Sequence, residues 1–184
     1  MFTNINDLLD IDILINEHYI TKRKHPEFPL WILNYAPKTQ YENLWNEATM
    51  SCRGLICDKN GYVVSRPFRK FFNLGEVKAL PDEDYDVFEK ADGSLGISYF
   101  WEGRHWMATR GSFDSEQARL ANKMLSELYG FIPLRTDITY LFEICGPDNP
   151  IVVKYNQNKL VLLTQIITKS GYEIPNGYIK KGFP

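Results

Sequence analysis

Lys90-Ala91-Asp92-Gly93 sets an amine two residues from a carboxylate and three from a glycine, a grouping suited to covalent catalysis through the amine. A lysine with an ordinary pKa near ~10.4 is mostly ammonium and attacks poorly, so Lys90 needs desolvation or neighbouring cations to act. Gly93 permits either a close backbone approach to a ligand or a positive φ. Polar groups stand beside glycine at three other places: Arg53-Gly54, Arg110-Gly111 and Glu143-Ile144-Cys145-Gly146. Arg53, Lys70 and Arg110 suit triphosphate oxygens through charge-assisted hydrogen bonds, and their positive field favours a neutral Lys90. Glu143 suits ribose hydroxyls or the orientation of a metal-bound water. Each residue alone has a plainer reading. Arginine before glycine is common in surface turns, Glu143 can pair with a neighbouring base, and Phe71 and Phe72 belong to a type found more often in cores than beneath ligands.

These groups need strands to hold them. The run 30–35 reads as a buried strand broken by Pro37, and 55–57 and 62–65 flank Asp58-Lys59-Asn60-Gly61, a strong hairpin signal. An acidic turn over 81–86 leads into a strand over 85–89 that ends at Lys90. The segments 95–100 and 106–109 pair across Glu102-Gly103, and 141–145, 151–153 and 160–167 are three more strands. Helices are expected in three places. One is capped by Asn6 or Asp7 and carries Leu8, Ile11, Leu14 and Ile15; a second has Tyr41, Leu44, Trp45 and Ala48 on one face. The third starts at Asp114, buries Ala118, Ala121, Met124, Leu125 and Leu128, and stops at Gly130. The outcome is one α+β domain over 1–184, with strands predominating around a central groove.

Composition bounds the partners. The 184 residues are 44% hydrophobic, enough for a substantial core, and carry a formal net charge of -2, so a surface for nucleic acid must be a local patch. Cys52, Cys57 and Cys145 cannot all pair within one chain and read as reduced core residues, while His18, His25 and His105 lack the spacing of a zinc site. No run is long and apolar enough for a membrane span, and no leader is visible, so a cytoplasmic protein is expected. Neither a P-loop nor a dinucleotide fingerprint is present.

Taken in order, the motifs resemble the covalent nucleotidyltransferase superfamily, and within it the RNA ligase branch of the bacteriophage tRNA-repair enzymes. Lys90-Ala91-Asp92-Gly93 matches the family's Lys-x-Asp-Gly, whose lysine carries the adenylate. Arg53-Gly54 upstream, Ser65-Arg66-Pro67 and Lys70-Phe71-Phe72-Asn73 are more distinctive than the nucleophile motif itself. The resemblance implies an ATP-grasp-like adenylylation domain with antiparallel sheets around a nucleotide groove. It implies ATP phosphate contacts from Arg53, Lys70 and Arg110, an active-site place for Phe72 and Gly93, and a ribose contact from Glu143. Lys90, Asp92 and Glu143 are the implied catalytic set, ATP and Mg2+ the cofactors, and RNA ends, including nicked or cleaved tRNA, the partners.

The family continues into a second carboxylate motif and a Lys-x-Lys strand, and neither is recognisable after Glu143; Lys180-Lys181 is adjacent rather than spaced. An incomplete domain is therefore expected, one that binds ATP better than it completes ligation. Two other functions fit the residues: a noncatalytic nucleotide- or RNA-binding module, and a lysyl-nucleotidyltransferase of the DNA ligase or capping type. The position of Arg53 upstream of the lysine argues against the last, because those enzymes resemble a pattern with the arginine after it.

Overall fold

The computed structural model describes residues 2–73, 75–76, 87–149, 152–174 and 183. Two antiparallel sheets make an α+β architecture. The first has the order β1-β2-β3-β4, with β1 at Ile20–Lys24, β2 at Leu30–Tyr35, β3 at Arg53–Asp58 and β4 at Val63–Ser65. The second has the order β6-β5-β7-β8-β9, from β5 at Ser94–Trp101, β6 at Arg104–Thr109, β7 at Ile138–Cys145, β8 at Lys159–Ile167 and β9 at Glu173–Ile174.

Period-two alternation divides the burial. Leu30, Ile32 and Ile56 of the first sheet meet Ile97, Tyr99, Ala108, Leu141 and Ile166 of the second, forming the core between the sheets. The alternate residues Leu33, Leu55 and Cys57 are covered by the helical N-terminal segment and Ala48, while Met107, Tyr140, Phe142 and Ile144 are covered by α4 (Glu116–Glu127). Helices thus lie outside both sheets. The three cysteines are buried and unpaired, and no described helix is long and apolar enough to cross a membrane.

Turn chemistry sets both hairpins. Gly61 has φ +87° between β3 and β4, with the Asp58 carboxylate accepting from the Asn60 and Tyr62 N–H groups at 2.9 Å each. Glu102 and Gly103 both have positive φ in the two-residue turn joining β5 to β6.

Several expectations need correction. The first helix is shorter than its apolar stripe: α1 runs Ile11–Asn16, because Asp10 takes a left-handed conformation and a separate 3-10 turn at Ile5–Asp7 is capped by Asn4. Leu8, Ile11 and Leu14 are buried all the same. The second helical face splits into α2 (Pro37–Tyr41) and α3 (Glu47–Ser51). Pro37 both ends β2 and occupies the first turn of α2, and Asn46 with Thr49 forms a capping box for α3. Ser115 rather than Asp114 caps α4, because Asp114 is engaged by Arg23 and Ser112. Leu128 is 48% exposed at the C-cap. Strand β1 gave no periodic signal: only Ile20 is buried, and Thr21, Lys22, Arg23 and Lys24 face solvent on a sheet edge, where charged side chains discourage pairing with another chain.

The strand expected over 151–153 is not formed at its described residues. Val152 and Val153 lie in a bend, and Ile151 is outside the described residues. Of the strand expected over 85–89, Val87, Phe88 and Glu89 are exposed and pair with no strand among the described residues, and the remainder, with the turn over 81–86 and Lys180-Lys181, lies outside the described residues.

Candidate functional site

The chain leaves the exposed run 87–90 and enters β5 through Asp92 and Gly93. Ser94 then pairs with Ile144 and Leu95 with Glu143 on β7. Gly93 is required by close approach rather than by φ: a Cβ there would lie 2.3 Å from the Ile144 carbonyl oxygen and 3.2 Å from Glu143 Cγ. Glu143 is the half-buried position of an otherwise buried strand. Burial raises its pKa above the ordinary carboxylate range, opposed by the positive charge of Lys90 and the Gly93 N–H and reinforced by Asp92. The Lys90 side chain is 86% exposed, with Nζ 4.0 Å from Asp92 Oδ1. Asp92 is held ionised below its ordinary range chiefly by the N–H groups of Val153 and Val152, which donate to Oδ2 at 2.7 and 2.6 Å. The fold therefore leaves Lys90 in water, and the desolvation expected of a nucleophilic amine is not provided by the described protein groups.

The cationic residues are held differently. Arg53 begins β3 opposite Asn34 of β2, and Gly54 follows at φ +97°, where a side chain would collide with Ile97 and the Arg110 backbone. That contact locks Arg53-Gly54 against Arg110-Gly111. Asn34 completes the joint: its amide donates to the Arg110 carbonyl at 2.7 Å and its oxygen accepts from Arg110 Nε at 3.4 Å. Arg53 Nη1 is buried and has no hydrogen-bond partner among the described residues. Burial, and then the charge of Arg110, lowers the pKa of Arg53, with the Tyr35 hydroxyl acting in the opposite sense.

Aromatic rings carry the remaining charges. Arg110 Cζ stands 4.7 Å from the Tyr35 ring centroid, Tyr35 meets Trp45 at 5.1 Å, and Trp45 meets Phe72 at 5.6 Å. Lys70 Nζ lies 4.4 Å from the Phe72 centroid and donates to the Phe71 carbonyl at 2.7 Å, while Arg53 Cζ stands 4.7 Å from the Phe71 ring. Such cation–ring contacts hold guanidinium and ammonium groups without neutralising them.

Both groups occupy the same end of the sandwich. Gly96 pairs with Thr109 and Leu95 with Glu143, so the register carried one residue past Thr109 puts Arg110 level with Leu95 and two strand spacings, roughly 10 Å, from Glu143. A shallow depression beside Arg110 is lined by Ser94, Leu95, Thr109, Arg110, Gly111 and Gln117. Deeper cavities, such as those lined by Arg66 and Pro67 or by His105 and Tyr129, lie elsewhere. Among the described residues no three His, Cys, Asp or Glu side chains cluster as metal ligands. Asn34, Tyr35, Trp45, Asn149 and Tyr155 were missed as site residues by sequence reasoning. Only Asn34, the one amide in the strand Leu30–Tyr35, carried a visible signal.

Known proteins resemble this chain in sequence. The RNA ligase family profile matches residues 51–174. A provisionally named RNA ligase of Thermovibrio ammonificans is 30% identical over 146 residues, covering 71% of this chain and 38% of the relative. RNA ligase 1 of Bacteriophage TS2126 is 30% identical over 148 residues, covering 67% and 36%, and the RNA ligase of Rhodothermus phage RM378 is 25% identical over 181 residues, covering 73% and 40%. The chain spans less than half the length of these relatives. With a profile match across most of its length and the motif residues gathered at one end of the fold, the chain belongs to the RNA ligase family.

Proposed function

We propose that this chain binds ATP between the Arg53–Lys70–Arg110 cluster and Lys90, and that Lys90 accepts AMP for transfer to an RNA 5′-phosphate. The observation that carries this reading is the buried Arg53 Nη1, without a partner among the described residues, at the end of the sandwich where Lys90 emerges. An unpaired buried donor on a cation costs stability unless an anion completes it, and phosphate oxygens meet that need bidentately.

ATP enters as a substrate. The neutral Lys90 amine attacks the α-phosphorus, an N–P bond forms, the bond from the α-phosphorus to the bridging oxygen breaks, and pyrophosphate leaves. Water, which reaches Lys90 freely, takes the N–H proton. The AMP then passes to an RNA 5′-phosphate, and an RNA 3′-hydroxyl attacks that phosphate, seals the strand and expels AMP. Mg2+ on the triphosphate would offset the charge of the leaving group. Arg53, Lys70 and Arg110 hold the phosphates, Phe72 braces Lys70, Gly93 leaves room for the backbone to pass Ile144, and Glu143 is placed for a ribose hydroxyl.

The test is incubation with Mg2+ and labelled ATP or, separately, GTP, followed by peptide mass mapping of an acid-labile, alkali-stable adduct. Label on Lys90 from ATP is expected. Label on another lysine rejects the assignment, and tight ATP binding with no label favours a noncatalytic nucleotide-binding module.

A further inference from the structure

The run 87–90 is exposed and pairs with no strand, so the backbone that carries Lys90 is anchored only on its downstream side among the described residues. That anchor is Asp92. Its Oδ2 accepts from the N–H groups of Val152 and Val153 at 2.6 and 2.7 Å, and its own N–H donates to the Tyr155 hydroxyl at 3.1 Å. At Ser94, two residues after Asp92, the 5%-exposed Asn149 donates to Oγ at 3.1 Å, and it also donates to the Ile144 carbonyl at 2.6 Å. Gly146 closes the base of the same loop, packed so tightly on Asn158 that no Cβ fits. Val152 and Val153 are 82% and 47% exposed, so hydrogen bonds rather than apolar burial hold this stretch against residues 92–94. Within this set only Asp92 also reaches Lys90, through Oδ1 at 4.0 Å.

A carboxylate that ligates a metal or moves a proton needs its oxygens available. Asp92 has one oxygen committed to two backbone donors and the other turned toward an ammonium. We infer that Asp92 is a positioning residue that braces the Lys90 backbone against Val152, Val153 and Tyr155, instead of ligating a metal or transferring a proton. The inference rests on the reading of Lys90 as the nucleotide acceptor.

The test compares Asp92→Ala, Asp92→Asn and Tyr155→Phe with the unaltered chain. Three quantities are measured: hydrogen exchange at the Val152 and Val153 amides, backbone 15N relaxation over 89–91, and the Lys90 labelling rate at saturating ATP beside ATP affinity. An asparagine oxygen can still accept from both N–H groups. Asp92→Asn should therefore keep the amides protected, the 89–91 backbone ordered and labelling within about tenfold of the unaltered chain. Asp92→Ala should lose about tenfold in protection, loosen 89–91 and slow labelling about 100-fold, as expected of a misplaced reacting group, with ATP affinity changed less than about threefold. Tyr155→Phe should fall between the two. The inference is overturned if Asp92→Asn labels as slowly as Asp92→Ala while its amides stay protected, because the negative charge itself is then required. It is also overturned if Val152 and Val153 exchange freely in the unaltered chain. Absence of any Lys90 label in the unaltered chain would instead defeat the nucleotide-acceptor reading. The exchange and relaxation measurements need no nucleotide and would still decide whether Asp92 orders the lysine backbone; should Asp92→Ala fail to fold, the other two variants carry the same comparison.

Discussion

Arg53 and Lys90 carry the same charge at the same end of the sandwich, yet the fold treats them in opposite ways. Arg53 Nη1 is buried without a partner among the described residues, and the residue is fixed by a strand, a glycine contact and a neighbouring ring. Lys90 is 86% exposed on a run without strand pairing. Binding groups gain from being held in place before the ligand arrives, because their ordering cost is already met on folding. A nucleophile that must attack a phosphorus and later release its cargo gains from remaining accessible. The contrast predicts that changes at Lys90 alter chemistry without altering the fold, whereas changes around Arg53 alter affinity.

The sharpest break comes at Lys90. Lys90→Ala should abolish covalent labelling, leave ATP affinity within about threefold and leave Tm unchanged, because the truncated side chain makes almost no packed contact; residual labelling elsewhere in the chain would end the comparison. Arg53→Ala should weaken ATP binding by about 1.5–3 kcal/mol, read by calorimetry, as the loss of charge-assisted contacts. Its Tm should change little, since removing the unpartnered buried Nη1 offsets the loss of the Phe71 ring contact. Arg110→Ala should cost less than about 1 kcal/mol, because that side chain is exposed and screened. Equal losses at the two arginines would show that burial does not distinguish them.

Gly93→Ala tests the seam between the two groups. Its Cβ meets the Ile144 carbonyl at 2.3 Å, and relieving such a clash costs about 1–3 kcal/mol of stability, visible as a lower Tm or denaturation midpoint.

The smallest effect concerns Glu143. Its pKa is raised in the folded chain, chiefly by burial, so the cost of keeping it ionised grows as pH rises from its unfolded pKa of about 4.3 through the raised folded value. Glu143→Gln should therefore raise Tm slightly at pH 7, and the gain should vanish below about pH 4, where the glutamate is protonated in both states. A Tm gain that persisted at low pH would show that packing rather than charge is responsible. Weaker ATP binding in the same variant would show that the strained carboxylate is kept for the ligand.

Much of this was legible before any coordinates. The strand Leu30–Tyr35, both hairpin turns and the buried face of α4 follow from period, turn residues and glycine placement. The order of Arg53-Gly54, Lys70-Phe71-Phe72-Asn73, Lys90-Ala91-Asp92-Gly93 and Glu143 marked the candidate residues, because each motif is local and its residue types are restricted by chemistry. Burial, pairing partner and neighbour were not legible, since they depend on residues far apart in the chain. Sequence alone made 151–153 a strand; the tertiary structure bends Val152 and Val153, because the Asp92 carboxylate offers their N–H groups an acceptor that competes with a sheet ladder. Sequence named three cations as equivalent phosphate ligands. Only the approach of the two sheets, with Gly54 against Arg110 and Asn34 between them, buried Nη1 of the Arg53 guanidinium and left Arg110 in solvent, level with Leu95 and Glu143, because desolvation belongs to the packing of whole sheets and not to any residue's neighbours in the chain.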